Sequence, residues 1–319
     1  MSFRQTKVSG FPAVALRSAE LEVIAVPAIG MKLTNLRRLN GREWLWRSHQ
    51  IPLALPEPGS SYVEAADSGG WDECFPTVGP CPVPGAPADS TTLPDHGELW
   101  SASWTSSVYD HAKGTTLTGS AQGVVFPYEF HRQITLDKQD PVIRFEYRLR
   151  HTGDRSFPWI WSSHPLLNVQ PGSELRLSGV TQVKMDTVRG RDDLSEEDVV
   201  SWPGAIGGDA DHFTFPQEGG WAVKIFGDLR GESELSLTDP RRGERLEMLV
   251  RADEVSQVGV WINCQGWAPK GRTPYYNLAL EPCIGAPDRL DRAVQDWHTA
   301  QTLQPGEERQ WSLEVRLPS

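Results

Sequence analysis

The sequence predicts an all-β protein, a large antiparallel β-sandwich with one or two short helices. Apolar and polar residues alternate with a period of two in segments spread over the 319 residues, which is typical of strands with one buried face. Apolar residues at helical spacing are rare, and no linker stands out. We expect a single domain over residues 1–319. Two β-domains that divide near Arg191 to Asp211 are the alternative.

The alternating segments begin near the N-terminus and continue to the C-terminus. Two strands are predicted over Leu21 to Ile29 and Leu33 to Leu39, on either side of Gly30, and Asn40-Gly41 then predicts a tight turn. The later segments that alternate in the same way run from Ile143 to Leu149, Glu174 to Ser178, Trp221 to Ile225, Glu234 to Thr238 and Trp311 to Leu317.

Helical spacing is found in two short stretches. Leu290, Ala293, Val294 and Trp297 recur at helical intervals, so Asp288 to Ala300 is expected to contain one short helix. Ser195 to Val200 is expected to form a second, single helical turn with Ser195 as its N-cap.

The composition excludes several classes of function. The net charge is −11 and the pI is about 5.2, so the chain is a poor ligand for nucleic acid or an anionic membrane. No run of about 18 apolar residues is present, and the N-terminal segment lacks the apolar region of a signal peptide. We therefore expect a cytoplasmic protein. Its cysteines, which we expect to be free thiols, are Cys74, Cys81, Cys264 and Cys283.

Common catalytic and cofactor motifs are missing. The sequence has no GxSxG nucleophile motif, no GxGxxG or GxxxxGK[ST] phosphate loop, and no zinc-type cysteine spacing. We therefore expect no metal and no organic cofactor. The 13 Trp residues are mostly expected in the core, with roughly two or three left to stack on a ligand such as a sugar.

Three titratable residues stand out. Glu281 follows the apolar run 278–280, and a carboxylate on a buried strand is costly unless it is paired or used. It is therefore either a structural ion-pair partner or a positioned base. His96 ends a long Pro-rich connection over 79–95, and His164 follows an aromatic segment. Each histidine is either structural or functional, and a carboxylate with an imidazole suffices for general acid–base chemistry.

Four ordered segments resemble the aldose 1-epimerases, or galactose mutarotase-like proteins. They are GGWDECFP (69–76), DHGELWSASW (95–104), SSHPLLN (162–168) and NLALEPCIGAPD (277–288). The opening stretch 23–46 and Pro305-Gly306 before the last strand are also similar to that family. The resemblance covers nearly the whole chain, and it implies a galactose mutarotase-like supersandwich with a sugar cleft on a concave face.

The resemblance also implies roles in opening and closing a sugar ring. Glu281 would remove the proton of the anomeric hydroxyl, His164 would protonate the ring oxygen, and His96 would hydrogen-bond the sugar. Substrate contacts are expected at Trp71, Asp72, Glu73, Lys224 and Trp267, although Lys224 is alternatively a solvated surface lysine. The expected partner is a monosaccharide, bound by a monomer or a homodimer.

Other functions of the same fold remain open from the sequence. A hexose-6-phosphate 1-epimerase would need a cationic cluster, which Arg37, Arg38, Arg42 and Arg47 could form. A sugar-binding protein without turnover is a second alternative. A hydrolase or lyase would need a second carboxylate, for which Asp72 and Glu73 are the candidates.

Overall fold

A computed structural model describes residues 2–56, 60–87, 91–209 and 211–318. Within these ranges, 24 strands form two large sheets and two small two-stranded sheets, and every pairing between strands is antiparallel. The predicted all-β class is confirmed. The chain folds this way because the alternating segments each bury one face against another sheet.

The first sheet carries the cleft described below. Its eleven strands among the described residues are, in spatial order, β1 (Phe3–Val8), β2 (Phe11–Arg17), β3 (Leu21–Val26), β4 (Lys32–Arg38), β5 (Trp71–Cys74), β13 (Trp161–Asn168), β22 (Tyr276–Ile284), β21 (Gln257–Cys264), β18 (Trp221–Asp228), β15 (Gln182–Arg189) and β16 (Val199–Ser201). Neighbours in this order that are distant in sequence, such as β5 and β13, bring separate motifs side by side.

The second sheet packs on the back of the first. In the part of the chain that is described it has nine strands: β17 (Phe213–Thr214), β14 (Glu174–Leu177), β19 (Glu232–Asp239), β20 (Glu244–Arg251), β24 (Glu308–Arg316), β11 (Val142–His151), β10 (Tyr128–Asp137), β9 (Gly114–Gln122) and β8 (Thr105–His111). The small sheets pair β6 (Cys81–Pro82) with β7 (Thr92–Leu93) and β12 (Phe157–Trp159) with β23 (Gln301–Leu303).

Aromatic side chains fill the space between the two large sheets. The ring of Trp71 on β5 stacks on Phe145 of β11 at 4.7 Å, and Trp161 on β13 contacts Tyr147 of β11 at 4.8 Å. All four side chains are almost fully buried. This packing uses one face of the first sheet and leaves the opposite face free to form a cleft.

Helical structure is confined to short segments. The predicted C-terminal helix is present as α1 (Leu290–Gln295), and there are 3₁₀ turns at Leu99–Ser101 and Gly204–Ile206 and a π-helical turn at Tyr62–Ala66. The predicted helical turn at Ser195 to Val200 is wrong. Ser195 begins a tight turn instead, with the Asp198 amide donating to its carbonyl, because the following residues enter β16 and pair with β15.

Two further properties concern the environment of the chain. No helix within the described ranges is long and apolar enough to cross a membrane. The cysteines Cys74, Cys81, Cys264 and Cys283 are buried free thiols.

Candidate active site

The candidate site is a cavity of about 440 Å³ on the face of the first sheet that points away from the core. This volume lies in the range of small-molecule sites. Strands β13, β22, β21, β18 and β15 contribute its floor, and the segments around Tyr62 and His96 contribute its wall. Among the sequence-predicted residues, Glu281, His164, His96, Lys224 and Trp267 all line it.

A larger depression of about 1120 Å³ lies on the exposed face of the second sheet. Its charged residues are engaged with one another, as Arg144 is with Asp137 and Glu314 at 3.2 and 3.0 Å. It contains none of the predicted site residues. The smaller cavity is therefore the better candidate.

Strand pairing brings Glu281 and His164 together. In the antiparallel register of β13 and β22, Ser162 lies opposite Cys283 and Leu166 lies opposite Ala279. His164 therefore falls opposite Glu281, on the same face of the sheet. His164 Nε2 is 3.9 Å from Glu281 Oε1, which is too long for a hydrogen bond, so the two groups lie side by side without bonding each other.

Glu281 is fully buried and held by two donors. Lys224 Nζ donates to its Oε1 at 2.6 Å, and Ser162 Oγ donates to its Oε2 at 3.1 Å. These contacts orient the carboxylate toward the cavity and stabilise its negative charge in a site from which most water is excluded.

Lys224 reaches Glu281 by crossing strand β21. Lys224 pairs with Trp261, whereas Glu281 pairs with Gly259, so the lysine side chain must run diagonally over Gly259. A Cβ placed at Gly259 would lie 3.5 Å from Lys224 Cε and 2.9 Å from the Phe226 ring. The glycine thus provides the space that the lysine and the ring occupy.

Lys224 is 4% exposed, so the alternative of a solvated surface lysine is wrong. Its Nζ also lies 3.1 Å from Asp288 Oδ1. Burial alone would lower the pKa of Lys224, but the carboxylates of Asp288 and Glu281 outweigh it and raise that pKa above the usual value. Lys224 is therefore a charged partner of two cleft carboxylates.

His164 is a buried imidazole without a hydrogen bond. Its Nδ1 is inaccessible and has no partner among the described residues. Burial, together with the charges of His96, Lys224 and Lys32, holds the pKa of His164 well below its usual range. Because Nδ1 is inaccessible, Nε2 is the ring nitrogen left to meet a ligand in the cavity.

His96 is held in an unusual backbone conformation. Its φ is +60°, in the left-handed region, and Gly97 follows with φ +71°. A Cβ at Gly97 would collide with the backbone oxygen of Phe75. The DHG segment therefore needs its glycine, and the strained turn projects the imidazole into the cavity.

Asp95 and Tyr62 fix the ring of His96. Asp95 Oδ1 lies 2.8 Å from His96 Nδ1, and the Tyr62 ring stacks on the imidazole at 4.0 Å. Burial alone would lower the pKa of His96, but the hydrogen bond and charge of Asp95 raise it. Burial would raise the pKa of Asp95, and the contact with His96 instead lowers it to about 2. The two residues thus favour an imidazolium–carboxylate pair.

The remaining predicted contacts on β5 are placed elsewhere. Trp71 and Glu73 are fully buried and point between the sheets, where Trp71 Nε1 donates to Ser163 Oγ at 2.8 Å. Asp72 points toward the cleft side but is also fully buried, and it accepts from Lys32 Nζ at 2.6 Å and from Tyr62 at 2.7 Å. The expectation that Trp71, Asp72 and Glu73 touch the substrate is therefore corrected. Neither Asp72 nor Glu73, the candidates for the second carboxylate of a hydrolase, lines the cavity.

Aromatic rings form one wall of the cavity. Trp267 lies 5.9 Å from Trp261 and 6.2 Å from Tyr275, measured between ring centroids, and all three line the cavity. Such rings can stack on the C–H faces of a sugar. Trp267 was predicted from the sequence, whereas Trp261 and Tyr275 were not, because a single aromatic residue carries no local sign that it faces a cleft.

Several polar residues of the cavity were also missed. Asp95 and Asp288 lie within the segments that carried the resemblance, so their positions were available from the sequence. Asp67, Arg189 and Asn277 also line the cavity, and only the fold reveals the first two.

The cationic cluster expected for a phosphate does not face the cavity. Arg37 pairs with Glu22, Arg38 with Glu20, and Arg42 with Asp239. Arg47 donates to the Thr34 carbonyl at 2.6 Å. None of these four arginines lines the cavity.

One group of side chains has the composition of a metal site. Cys74 Sγ and one ring nitrogen each of His96 and His164 lie within 4.8 Å of one another. Metals bind the thiolate form of cysteine. Burial and the charges of Glu281 and Asp72 raise the pKa of Cys74 well above its usual value, so this set fits a metal ion poorly.

Comparisons with known proteins agree on the fold. No protein-family model and no curated protein matches the sequence. Among solved structures, the chain is similar to a galactose mutarotase related enzyme from Lactobacillus acidophilus (TM-score 0.69, 16% identity, 96% of this chain and 97% of that one). It is also similar to a candidate aldose 1-epimerase from Klebsiella pneumoniae (0.73, 12%, 99% and 82%) and a galactose mutarotase-like protein from Lactobacillus casei (0.64, 16%, 96% and 100%). The chain therefore has the galactose mutarotase-like fold.

Proposed function

We propose that this protein is an aldose 1-epimerase, which interconverts the α and β anomers of a monosaccharide. The observation that carries the proposal is the facing pair of Glu281 and His164. The carboxylate is oriented by Lys224 and Ser162, and the buried imidazole opposite has no hydrogen-bond partner within the described residues. A base beside an imidazole, in a cavity lined by aromatic rings, suits acid–base chemistry on a sugar.

Glu281 is the base of the proposed reaction. It accepts the proton of the anomeric hydroxyl, and the electron pair left on that oxygen forms the carbonyl as the C1–ring oxygen bond breaks. Lys224 and Ser162 hold the carboxylate in place before the sugar arrives. Orientation of this kind lowers the barrier because the base does not have to reorganise.

The proton for the ring oxygen comes from one of two imidazoles. The rings of His96 and His164 lie 4.9 Å apart, so a charge on one disfavours a charge on the other. The resemblance implies His164 as the acid, but Asp95 stabilises the charge on His96. We therefore assign proton donation to His96 and hydrogen bonding of the sugar to neutral His164.

The open-chain aldehyde then rotates about its C1–C2 bond. When the ring oxygen attacks the other face of the carbonyl, the ring hydroxyl returns its proton to His96 and Glu281 returns its proton to the new anomeric oxygen. The acid and base exchange roles, and no net proton is consumed. This cycle uses only side chains that line the cavity.

A hexose-6-phosphate is the second candidate substrate. Arg189 lies exposed at the rim of the cavity and has no carboxylate within 4.0 Å in the described ranges. Its guanidinium could bind a phosphate. If the substrate is phosphorylated, Arg189 is therefore a better candidate to bind the phosphate than the four arginines that the sequence suggested.

The test is NMR saturation exchange between α and β anomeric protons. Glucose, galactose, xylose, arabinose and glucose 6-phosphate are each measured with the wild type, Glu281→Gln and the exposed control Asp154→Asn. We expect faster exchange for at least one sugar, lost in Glu281→Gln and kept in the control. Tight binding of a sugar without faster exchange would instead support a non-catalytic sugar-binding protein.

A further inference from the structure

We infer that Asp67 is a substrate-binding residue that accepts hydrogen bonds from a sugar hydroxyl other than the anomeric one. The inference rests on the proposed function for its choice of ligand. Asp67 lies outside every segment that resembles the family. The substrate that fits it carries a hydroxyl, and no anionic group, at the carbon that meets Asp67.

The backbone places Asp67 at the edge of the cavity. It follows the π-helical turn Tyr62–Ala66, and its amide donates to the Tyr62 carbonyl at 2.8 Å. Such turns are frequent at functional sites. The side chain is 6% exposed and lines the cavity, and its Oδ1 accepts from the Gly69 amide at 3.1 Å.

The carboxylate of Asp67 has no charged partner. Within residues 2–56, 60–87, 91–209 and 211–318, no lysine, arginine or histidine nitrogen lies within 4.0 Å of it, and its Oδ2 accepts no hydrogen bond. The nearby cations are engaged elsewhere, because Lys32 pairs with Asp72 and His96 pairs with Asp95. A buried carboxylate in this state is costly unless a ligand supplies donors.

The neighbouring groups specify which donors fit. Asn277 lines the same cavity and adds an uncharged polar side chain to it. A ligand that brings a hydroxyl donor satisfies the free oxygen of Asp67. A carboxylate, sulfonate or phosphate placed there would bring negative charge next to Asp67 instead, so such groups are excluded from this end of the sugar.

Protonation gives an independent signature. Burial raises the pKa of Asp67 to about 6, although Lys32 and the Gly69 amide lower it and the charge of Asp72 adds to it. The other titratable groups that face it are His96, Tyr62 and Tyr275. As the pH falls through about 6, Asp67 gains a proton and loses acceptor strength, so sugar affinity falls.

The experiment measures Kd by calorimetry for glucose, galactose and their 2-, 3-, 4- and 6-deoxy derivatives. The proteins are the wild type, Asp67→Asn, Asp67→Ala and the exposed control Asp154→Asn. We expect Kd to rise about 10-fold in Asp67→Asn and up to about 100-fold in Asp67→Ala, the range for hydrogen bonds to a charged group. One deoxy sugar, which lacks the hydroxyl that meets Asp67, should bind the wild type more weakly than its parent sugar does. In Asp67→Ala the two sugars should have the same Kd, because the contact is already lost.

The pH arm separates binding from a structural role. The Kd of the wild type should rise as the pH is lowered from 7 to 5, and that of Asp67→Asn should not. Equal affinities of wild type and Asp67→Asn at every pH, or failure of the wild type to bind any neutral sugar, would overturn the inference. If binding depends on Asp67 but anomer exchange is not accelerated, the proposed function fails and Asp67 stands. If exchange is accelerated and Asp67→Asn leaves both exchange and binding unchanged, the proposed function stands and the inference about Asp67 fails.

Discussion

Glu73 and Glu281 are two glutamates of the same sheet, both fully buried, that face opposite ways. Glu73 on β5 points into the core, where Arg132 lies 2.9 Å away and Tyr147 and Trp161 donate at 3.0 and 2.9 Å. Glu281 on β22 points into the cleft, where Lys224 and Ser162 donate to it and His164 does not.

The difference between the two sites lies in what surrounds the carboxylate. The donors around Glu73 come from both sheets and lie in the core, away from the cavity, which favours a structural role. The site of Glu281 adjoins the cavity and the imidazole of His164. Burial and ion pairing are common to both sites, so they do not identify a candidate catalytic carboxylate. The adjoining cavity does.

Glu281→Gln is expected to have the strongest effect on catalysis. Removing the base should slow anomer exchange about 10²- to 10⁴-fold, the usual contribution of general acid–base catalysis. Lys224 keeps Asp288 as a partner, so the fold should persist. NMR exchange rates and a circular-dichroism melt check both statements. A variant with wild-type exchange would refute the role of Glu281.

Glu73→Gln should show the opposite behaviour. The substitution leaves the buried guanidinium of Arg132 without its counter-charge, and breaking a buried ion pair typically costs about 3–5 kcal/mol of unfolding free energy. Exchange per folded molecule should stay at the wild-type rate. Denaturant unfolding measures the loss, with the exposed Glu232→Gln as the control. Reduced exchange in a folded Glu73→Gln protein would contradict a purely structural role for Glu73.

The pH dependence of exchange distinguishes the two histidines. Because the pKa of His96 is raised, its imidazolium persists above pH 6.5 and is lost as the pH rises further, so the rate should fall on the alkaline side. His96→Asn should remove that alkaline limb together with most of the rate, and Asn tolerates the left-handed backbone. His164→Asn should lower the rate and keep the limb. An alkaline limb that survives in His96→Asn would return the acid role to His164.

The same histidine makes a smaller contribution to stability. A group whose pKa is higher in the folded state than in the unfolded state stabilises the fold fully below its unfolded pKa and loses that contribution as the pH rises through the folded value. The unfolding free energy of the wild type should therefore decline above about pH 6.5, relative to His96→Asn. Parallel pH curves for the two proteins would contradict this expectation.

The smallest effect is expected for Gly259→Ala. The added methyl group lies 2.9 Å from the Phe226 ring and 3.5 Å from Lys224, and overpacking of this kind usually costs about 1–3 kcal/mol. Displacement of Lys224 should also slow exchange. Gly204→Ala, whose methyl group has 3.7 Å of space, is the matched control. An unchanged rate and stability would show that the lysine does not need this space.

The strands and the three main candidate residues could be predicted from the sequence. Alternation with a period of two depends on neighbours in the chain, so the pattern was sufficient to predict strands such as those around Phe145 and Leu237. The ordered motifs indicated Glu281, His164 and His96, and the structure brings all three to one cavity.

Which side chains share that cavity depends on the three-dimensional fold. All four residues of β5 are buried, so their pattern could not tell that Trp71 and Glu73 face the core. Lys224 meets Glu281 because β18, β21 and β22 pair in one register and Gly259 leaves a path. Asp67 reaches the cavity through a π-helical turn without a sequence signature. Each of these placements depends on pairing between distant segments, which no local pattern encodes.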